Sequence, residues 1–213
     1  LLVAVVSAPL ASRRGTGAAV GVQGIRGPAR ASIDALIYIA VMIPGSVNGS
    51  ATLIALVTDF GVVNPWLAAV WPTTASAPTL SMGMGSLIAA HTMFTRALVV
   101  IIVRARLAGL EGALNEASAD LYATPFGTFR QITLPLIAPA ILAGFLLSFT
   151  FSFDDFIIAF FVAGSETTLP IYIFSSIRRG ITPEVNAIGT MVMLASLIML
   201  VIAQLILRLG AKR

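Results

Sequence analysis

Apolar positions along this chain come in long runs, and polar positions collect in the gaps between them. Four runs, at about 35–56, 86–103, 136–162 and 187–209, are each close to the ~20 residues a helix needs to cross a hydrocarbon layer. A shorter run, Leu1 to Ala11, opens the sequence and is too short to span alone. Its small-residue end, Ser7-Ala8-Pro9-Leu10-Ala11, has the character of a signal-peptide end. The reading preferred here is the last part of a span whose beginning lies outside this sequence. Residues 12–33 are polar and Gly-rich and are expected to form a loop, as are 57–84 and the segment between the last two runs. Trp66 and Trp71 in the second loop suit a membrane interface.

The run 35–56 is interrupted by Pro44-Gly45 and carries Ser46, Asn48, Ser50 and Thr52. Proline removes a backbone donor, and such a break is tolerated at membrane depth where it packs on protein or lines a cavity. Two readings stand: a packed, kinked helix, or one that lines a pathway with Asn48 facing it. Gly45-x-x-x-Gly49 also permits close helix approach.

Composition sharpens the class. Of 213 residues, 58% are hydrophobic and only 10% charged, too little charge for a water-facing shell. Mean hydropathy is +0.98. The fold class is therefore an all-α polytopic membrane protein. With no Cys, thiolate metal sites and thiol catalysis are excluded. The net charge of +4 gains meaning from its placement. Arg13, Arg14, Arg26 and Arg30, then Arg104, Arg106 and Arg130, then Arg208, Lys212 and Arg213 fall on one side if the runs alternate. These are ten of the 13 basic residues. The bias puts that side in the cytoplasm, so the charge reports topology rather than nucleic-acid binding.

The segment 104–135 is then a long cytoplasmic loop. Leu110, Leu114, Ala117 and Leu121 share one helical face, with Glu111, Glu116 and Asp120 away from its centre. Thr124-Pro125 has the form of an N-cap followed by proline at the first helical position. Phe126, Phe129 and Ile132 continue an apolar face, and Leu134-Pro135 closes it. Two short helices at an angle fit either a groove on a partner protein or the membrane surface.

Within that loop, Glu116-Ala117-Ser118, then Asp120 and Tyr122, then Ile132-Thr133-Leu134-Pro135 resemble the EAA motif of binding-protein-dependent ABC importer permeases, E-A-A-x3-G-x9-I-x-L-P. Two positions depart from it: Ser118 stands for the second Ala and Tyr122 for the Gly that permits the bend. His91-Thr92-x-Phe94, Arg104-Ala105-Arg106-Leu107, Ser152-Phe153-Asp154-Asp155-Phe156, Thr168-Leu169-Pro170 and the run Arg178 to Ala187 are similar to the same family. The similarity is greatest to its spermidine/putrescine branch, the C subunit in particular. It covers about 35 to the end.

The resemblance implies a MetI-like helical bundle of six spans, N-terminally truncated here, as one permease domain over 1–213. It implies transport of a polyamine across the bacterial cytoplasmic (inner) membrane. The partners it implies are an ATP-binding subunit dimer gripping Glu116 and its neighbours, a second permease subunit and an extracytoplasmic substrate-binding protein. The lipid bilayer is the surround, and no nucleic acid is involved. Another solute of the same importer class (iron, thiamine or another organic cation) is the runner-up. An ion-coupled secondary carrier is the competitor from a different class, and it predicts inverted repeats that are not evident.

No G-x-x-x-x-G-K-[ST] occurs, so ATP chemistry must come from a separate subunit. No cofactor, metal site or catalytic residue is expected, and an intramembrane enzyme lacks a nucleophile–base pair. Asp154 and Asp155 lie inside the run 136–162, where ionisable groups are costly and usually face a cavity or a partner. They either contact a polycation in the pathway, with Phe151 offering an aromatic face, or pair with Arg96 or cap a broken helix. His91, the only His, suits an interhelix hydrogen bond better than a metal. Arg178, Arg179 and Glu184 either touch the outer binding protein or are solvated.

Overall fold

A computed structural model of the chain describes residues 1–72, 76–110, 112–180 and 183–211. Glu111, Ile181, Thr182, Lys212 and Arg213, and the side chains of Leu114 and Arg208, lie outside that description. The described residues form helices α1 (Leu2–Gln23), α2 (Pro28–Met42), α3 (Gly45–Val70), α4 (Met84–Ala108), α5 (Gly112–Asp120) and α6 (Pro125–Thr128). A π-helical turn, Phe129–Thr133, leads into α7 (Leu134–Asp154), followed by α8 (Ile157–Val162), α9 (Leu169–Arg179) and α10 (Pro183–Ala211). Among the described residues, four helices are long and apolar enough to cross a membrane: Gly45–Val70, Met84–Ala108, Pro125–Asp154 and Pro183–Ile202.

The core is a bundle of α1, α4 and α7. Small residues make it close-packed. Ser7, Ala11, Gly15 and Ala19 recur every fourth position on α1, and all are buried. That spacing forms one stripe along a helix and lets two backbones approach. Val99 of α4, 0% exposed, sits at the centre. A Cβ built on Gly15 of α1 meets Val99 at 2.7 Å, and one on Gly144 of α7 meets it at 3.3 Å. In membrane, where lipid tails are as apolar as leucine, this contact density drives association. Gly15→Val should therefore cost about 1–3 kcal/mol of overpacking. A lowered melting temperature of the detergent-purified protein would register it; an unchanged one would show that α1 does not rest on α4 at this point.

This α1 corrects the sequence reading of 12–33 as a loop. Helix continues to Gln23, with Ser12, Gly15 and Ala19 on a buried face while Arg13 and Arg14 point outward. A second correction concerns 35–56. Pro44 restricts the preceding residue, Ile43 is extended (φ −63°, ψ 134°), and α2 ends there. Asn48 Nδ2 then donates to the Ala40 carbonyl (3.3 Å), one of the acceptors left open at the end of α2. The new helix α3 runs on to Val70, through residues 57–70 that were expected to be loop. Gly61 and the pair Asn64-Pro65 fall within this mostly apolar segment and do not stop the helix. The close approach expected of Gly45 and Gly49 is present: a Cβ on Gly49 meets Phe161 of α8 at 2.5 Å.

The third expected span, 136–162, is also divided, at Asp155–Phe156, into α7 and α8. At the opposite end of the core, Arg104 pairs with Asp34 of α2. The guanidinium holds that carboxyl below its ordinary range, chiefly through the hydrogen bond it donates. Nearby, Arg106 Nε donates to the Leu136 carbonyl (3.1 Å), tying the last turn of α4 to the first of α7.

Candidate functional site

Two features stand out, one at each end of the core. The first is the break between α7 and α8. The helix ends at Asp154, and Asp155 takes an extended conformation (φ −70°, ψ 116°). Asp155 Oδ2 accepts the Ala159 amide at 3.0 Å, capping the new helix. The same oxygen lies 3.6 Å from Nε2 of His91, which is 3% exposed. His91 Nδ1 is 2.8 Å from Ser152 Oγ, and Ser152 Oγ is 2.9 Å from Ser7 Oγ. Elements α1, α4, α7 and the break thus meet in one polar chain.

Asp154 has a different setting. It is exposed, and its Oδ1 accepts a hydrogen bond from Ser196 of α10 (2.8 Å). It borders two grooves. One, of about 630 Å³, is lined by Thr150, Phe151, Asp154, Asp155, Phe156 and Leu200 among others. The other, of about 500 Å³, has Asp154, Phe156, Phe174 and Ser196 in its wall. Phe156 and Phe174 have ring centroids 4.4 Å apart. The place therefore combines a carboxylate with aromatic faces at the rim of an open groove, a combination suited to an ammonium ion. A smaller cavity of about 150 Å³ lies behind Asp155, with His91, Ser152 and Thr168 in its lining.

The second feature is the elbow between α5 and α6. The Ala123 amide donates to the Ser118 carbonyl (3.1 Å) and the Tyr122 amide to that of Ala119 (2.9 Å). This is a Schellman ending, and its C′ residue, Tyr122, has φ +58°. Glycine is the usual residue there, so the chain holds a tyrosine in the left-handed conformation at a cost of about 1–2 kcal/mol. Thr124 Oγ1 then accepts the Gly127 amide (3.1 Å) with Pro125 at the first helical position, as Thr124-Pro125 predicted. Ser118 Oγ and Thr128 Oγ1, 2.6 Å apart, lock the two arms. Pro135 has no amide to offer the preceding turn, and the π-helical turn lies directly before it. Tyr122→Gly should relieve the strained φ, offset in part by glycine's entropy, for a net gain of up to about 1 kcal/mol. A thermal melt of the purified protein checks this, and a clear loss of stability would mean that Tyr122 makes contacts beyond its own turn.

The elbow presents apolar side chains outward: Leu121 is 81% exposed, Tyr122 95% and Phe126 72%. Glu116, Ala117 and Asp120 are exposed beside them, and Ser118 is buried between the arms. Ile132 is half-buried, Leu134 packs against the core cluster that includes Val103, Leu107 and Ile137, and Pro135 is exposed. Of the pathway residues expected from sequence, Asp154, Asp155 and Phe151 come together at one groove. Asn48 is instead occupied with the α2 carbonyl. Arg96 is exposed and pairs with neither aspartate; His91 is the residue that meets Asp155. Ser7 and Ser152 escaped sequence reasoning, although the four-residue recurrence of small side chains on α1 marks Ser7 as inward-facing.

Residues 15–213 match the family described as the binding-protein-dependent transport system inner membrane component. The chain is 34% identical over 209 residues to the spermidine/putrescine transport system permease protein PotC of Escherichia coli strain K12, covering 98% of this chain and 72% of that protein. Against PotC of Haemophilus influenzae it is 34% identical over 207 residues, 97% of this chain and 73% of the relative. To the putrescine transport system permease protein PotI of Escherichia coli strain K12 it is 47% identical over 112 residues, which is 52% of this chain and 40% of that protein.

Proposed function

Because this chain belongs to the family of binding-protein-dependent transport system inner membrane components, we propose that it is a permease subunit of an ATP-driven importer, carrying a polyamine inward across the bacterial cytoplasmic membrane. The observation that carries the reading is the carboxylate at the rim of an open groove where α7 breaks, with Phe151, Phe156 and Phe174 around it. A polyamine is a flexible chain of ammonium groups. A carboxylate gives each group a transient charge partner, and aromatic faces give it a second one without trapping it. The names of the relatives, spermidine/putrescine and putrescine permeases, support the same solute class.

Power comes from a separate ATP-binding subunit, held at the elbow of α5 and α6. The apolar trio Leu121, Tyr122 and Phe126 is the seat, with Glu116 and Asp120 at its edge. Closure of the ATPase dimer drives the elbow. Arg106 ties the helices that lead into and out of it, so α4 and α7 move as one body. Their far ends carry His91 and Asp155, and the shift therefore reaches the groove. Binding-protein docking outside and ATPase closure inside are coupled reciprocally. The test is uptake of labelled spermidine and putrescine by cells that carry the whole importer. Accumulation that unlabelled polyamine competes away supports the reading. Accumulation of thiamine or ferric iron in its place, with none of polyamine, overturns the solute assignment.

A further inference from the structure

The polar chain Ser7–Ser152–His91–Asp155 has a direction that its protons determine. Each serine hydroxyl has one proton to give, and the neutral imidazole has one. Ser7, Ser152 and His91 are all buried, at 0%, 5% and 3% exposed, so an unused proton there is costly. Suppose His91 carries its proton on Nδ1. Ser152 then receives it and donates to Ser7, whose own proton finds no acceptor in the chain, while the bare Nε2 lone pair faces a carboxylate. Suppose instead that Nε2 carries it. Ser7 then donates to Ser152, Ser152 to Nδ1, and Nε2–H points at Asp155 Oδ2, 3.6 Å away. Both serine protons are used, and Nε2–H, which has no hydrogen-bond partner of its own among the described residues, turns a positive end rather than a lone pair toward the carboxylate. The second assignment is the stable one.

We propose that His91 is a positioning residue: through Nε2–H it holds the Asp155 carboxylate as the cap of α8, so that Asp154 alone is left to meet the transported cation. The proposal rests on the import reading. It divides two neighbouring aspartates by their partners. Asp155 has the Ala159 amide and His91, both fixed in the core. Asp154 has one neutral hydroxyl, that of Ser196, and opens on two grooves. Asp155 also borders the larger groove. Once released, it becomes a second anion within reach of the cation. The latch therefore sets how tightly the groove holds a polyamine.

The test is spermidine uptake by the complete importer, with KM and Vmax measured separately. His91→Phe keeps a ring but loses both nitrogens. It should lower KM by about three- to tenfold, the effect of one added charge-assisted contact, and lower Vmax because release slows. His91→Gln, whose amide can donate to Asp155, should restore KM. In an Asp155→Asn background, His91→Phe should leave KM unmoved, and in an Asp154→Asn background it should still act. An effect on Vmax or protein amount with KM unchanged reduces His91 to packing and overturns the proposal. So does the same KM shift in the Asp155→Asn background. A second readout does not need transport: amide hydrogen exchange of α8 in nanodisc-embedded protein should quicken in His91→Phe and Asp155→Asn but not in Asp154→Asn. If the wild-type importer carries no polyamine, the import reading fails, and the exchange pattern still decides the latch.

Discussion

Asp154→Asn should cut spermidine uptake, measured as the ratio of Vmax to KM, by about ten- to a hundredfold, with membrane-inserted protein unchanged in amount. The size follows from what is removed. A contact between an ammonium and a carboxylate contributes about 1.5–3 kcal/mol, and every ~1.4 kcal/mol is a factor of ten. Folding should not suffer, because Asp154 is exposed and asparagine keeps an acceptor for the Ser196 hydroxyl. The comparison with Asp155→Asn is informative. That residue caps α8 and meets His91, so its loss should also reduce the stability of the protein. Equal, purely kinetic losses in both variants would mean that the aspartates act as one undivided site.

The second large effect belongs to the elbow. Phe126→Asp should abolish co-purification of the ATP-binding subunit, weakening the association at least thirtyfold. Three large apolar side chains exposed together at one elbow suit the docking contact proposed for it. An aromatic at the centre of such a contact is worth ~2 kcal/mol or more, and an aspartate placed there adds the cost of burying a charge. The permease itself should stay folded, since Phe126 is 72% exposed. Glu116→Ala, at the edge of the same surface, should lower transport-linked ATP hydrolysis more mildly. Full ATPase retention by Phe126→Asp would move the docking surface elsewhere.

The long apolar runs made α4, α7 and α10 legible from the sequence, because mean hydropathy over a span is a property of the whole window and survives local exceptions. Helix α1 was not legible. Its packing depends on small side chains that hydropathy scores as neutral and on glycines that local rules score as loop, while Arg13 and Arg14 point outward. The helix ends followed a similar divide. Thr124-Pro125 carries its own steric meaning, so the start of α6 could be placed; Pro44 marked an interruption, but not that one helix ends there and another begins. Pro65 and Gly61 are the same residue types, yet α3 runs through both.

At the site, the chemistry of single residues was readable and their pairing was not. Two adjacent aspartates in a span announce function by their cost, and a lone buried His announces a hydrogen bond. That His91 rather than Arg96 reaches Asp155 depends on how α4 is rotated against the break. That rotation is set by the contact of Val99 with Gly15 and Gly144. The elbow shows the same limit. The EAA-like spacing located the bend at Tyr122, whereas the left-handed turn and the Ser118–Thr128 clasp emerge only when α5 and α6 are seen together.

The central claim is that this chain moves a polyamine with ATP supplied by another subunit, and reconstitution tests it most directly. Proteoliposomes holding this chain with its ATP-binding subunit, a second permease and the extracytoplasmic binding protein should accumulate labelled spermidine when ATP faces the elbow side. They should stop when the ATP-binding subunit is left out. Accumulation that persists without that subunit, driven by an ion gradient alone, would contradict the account.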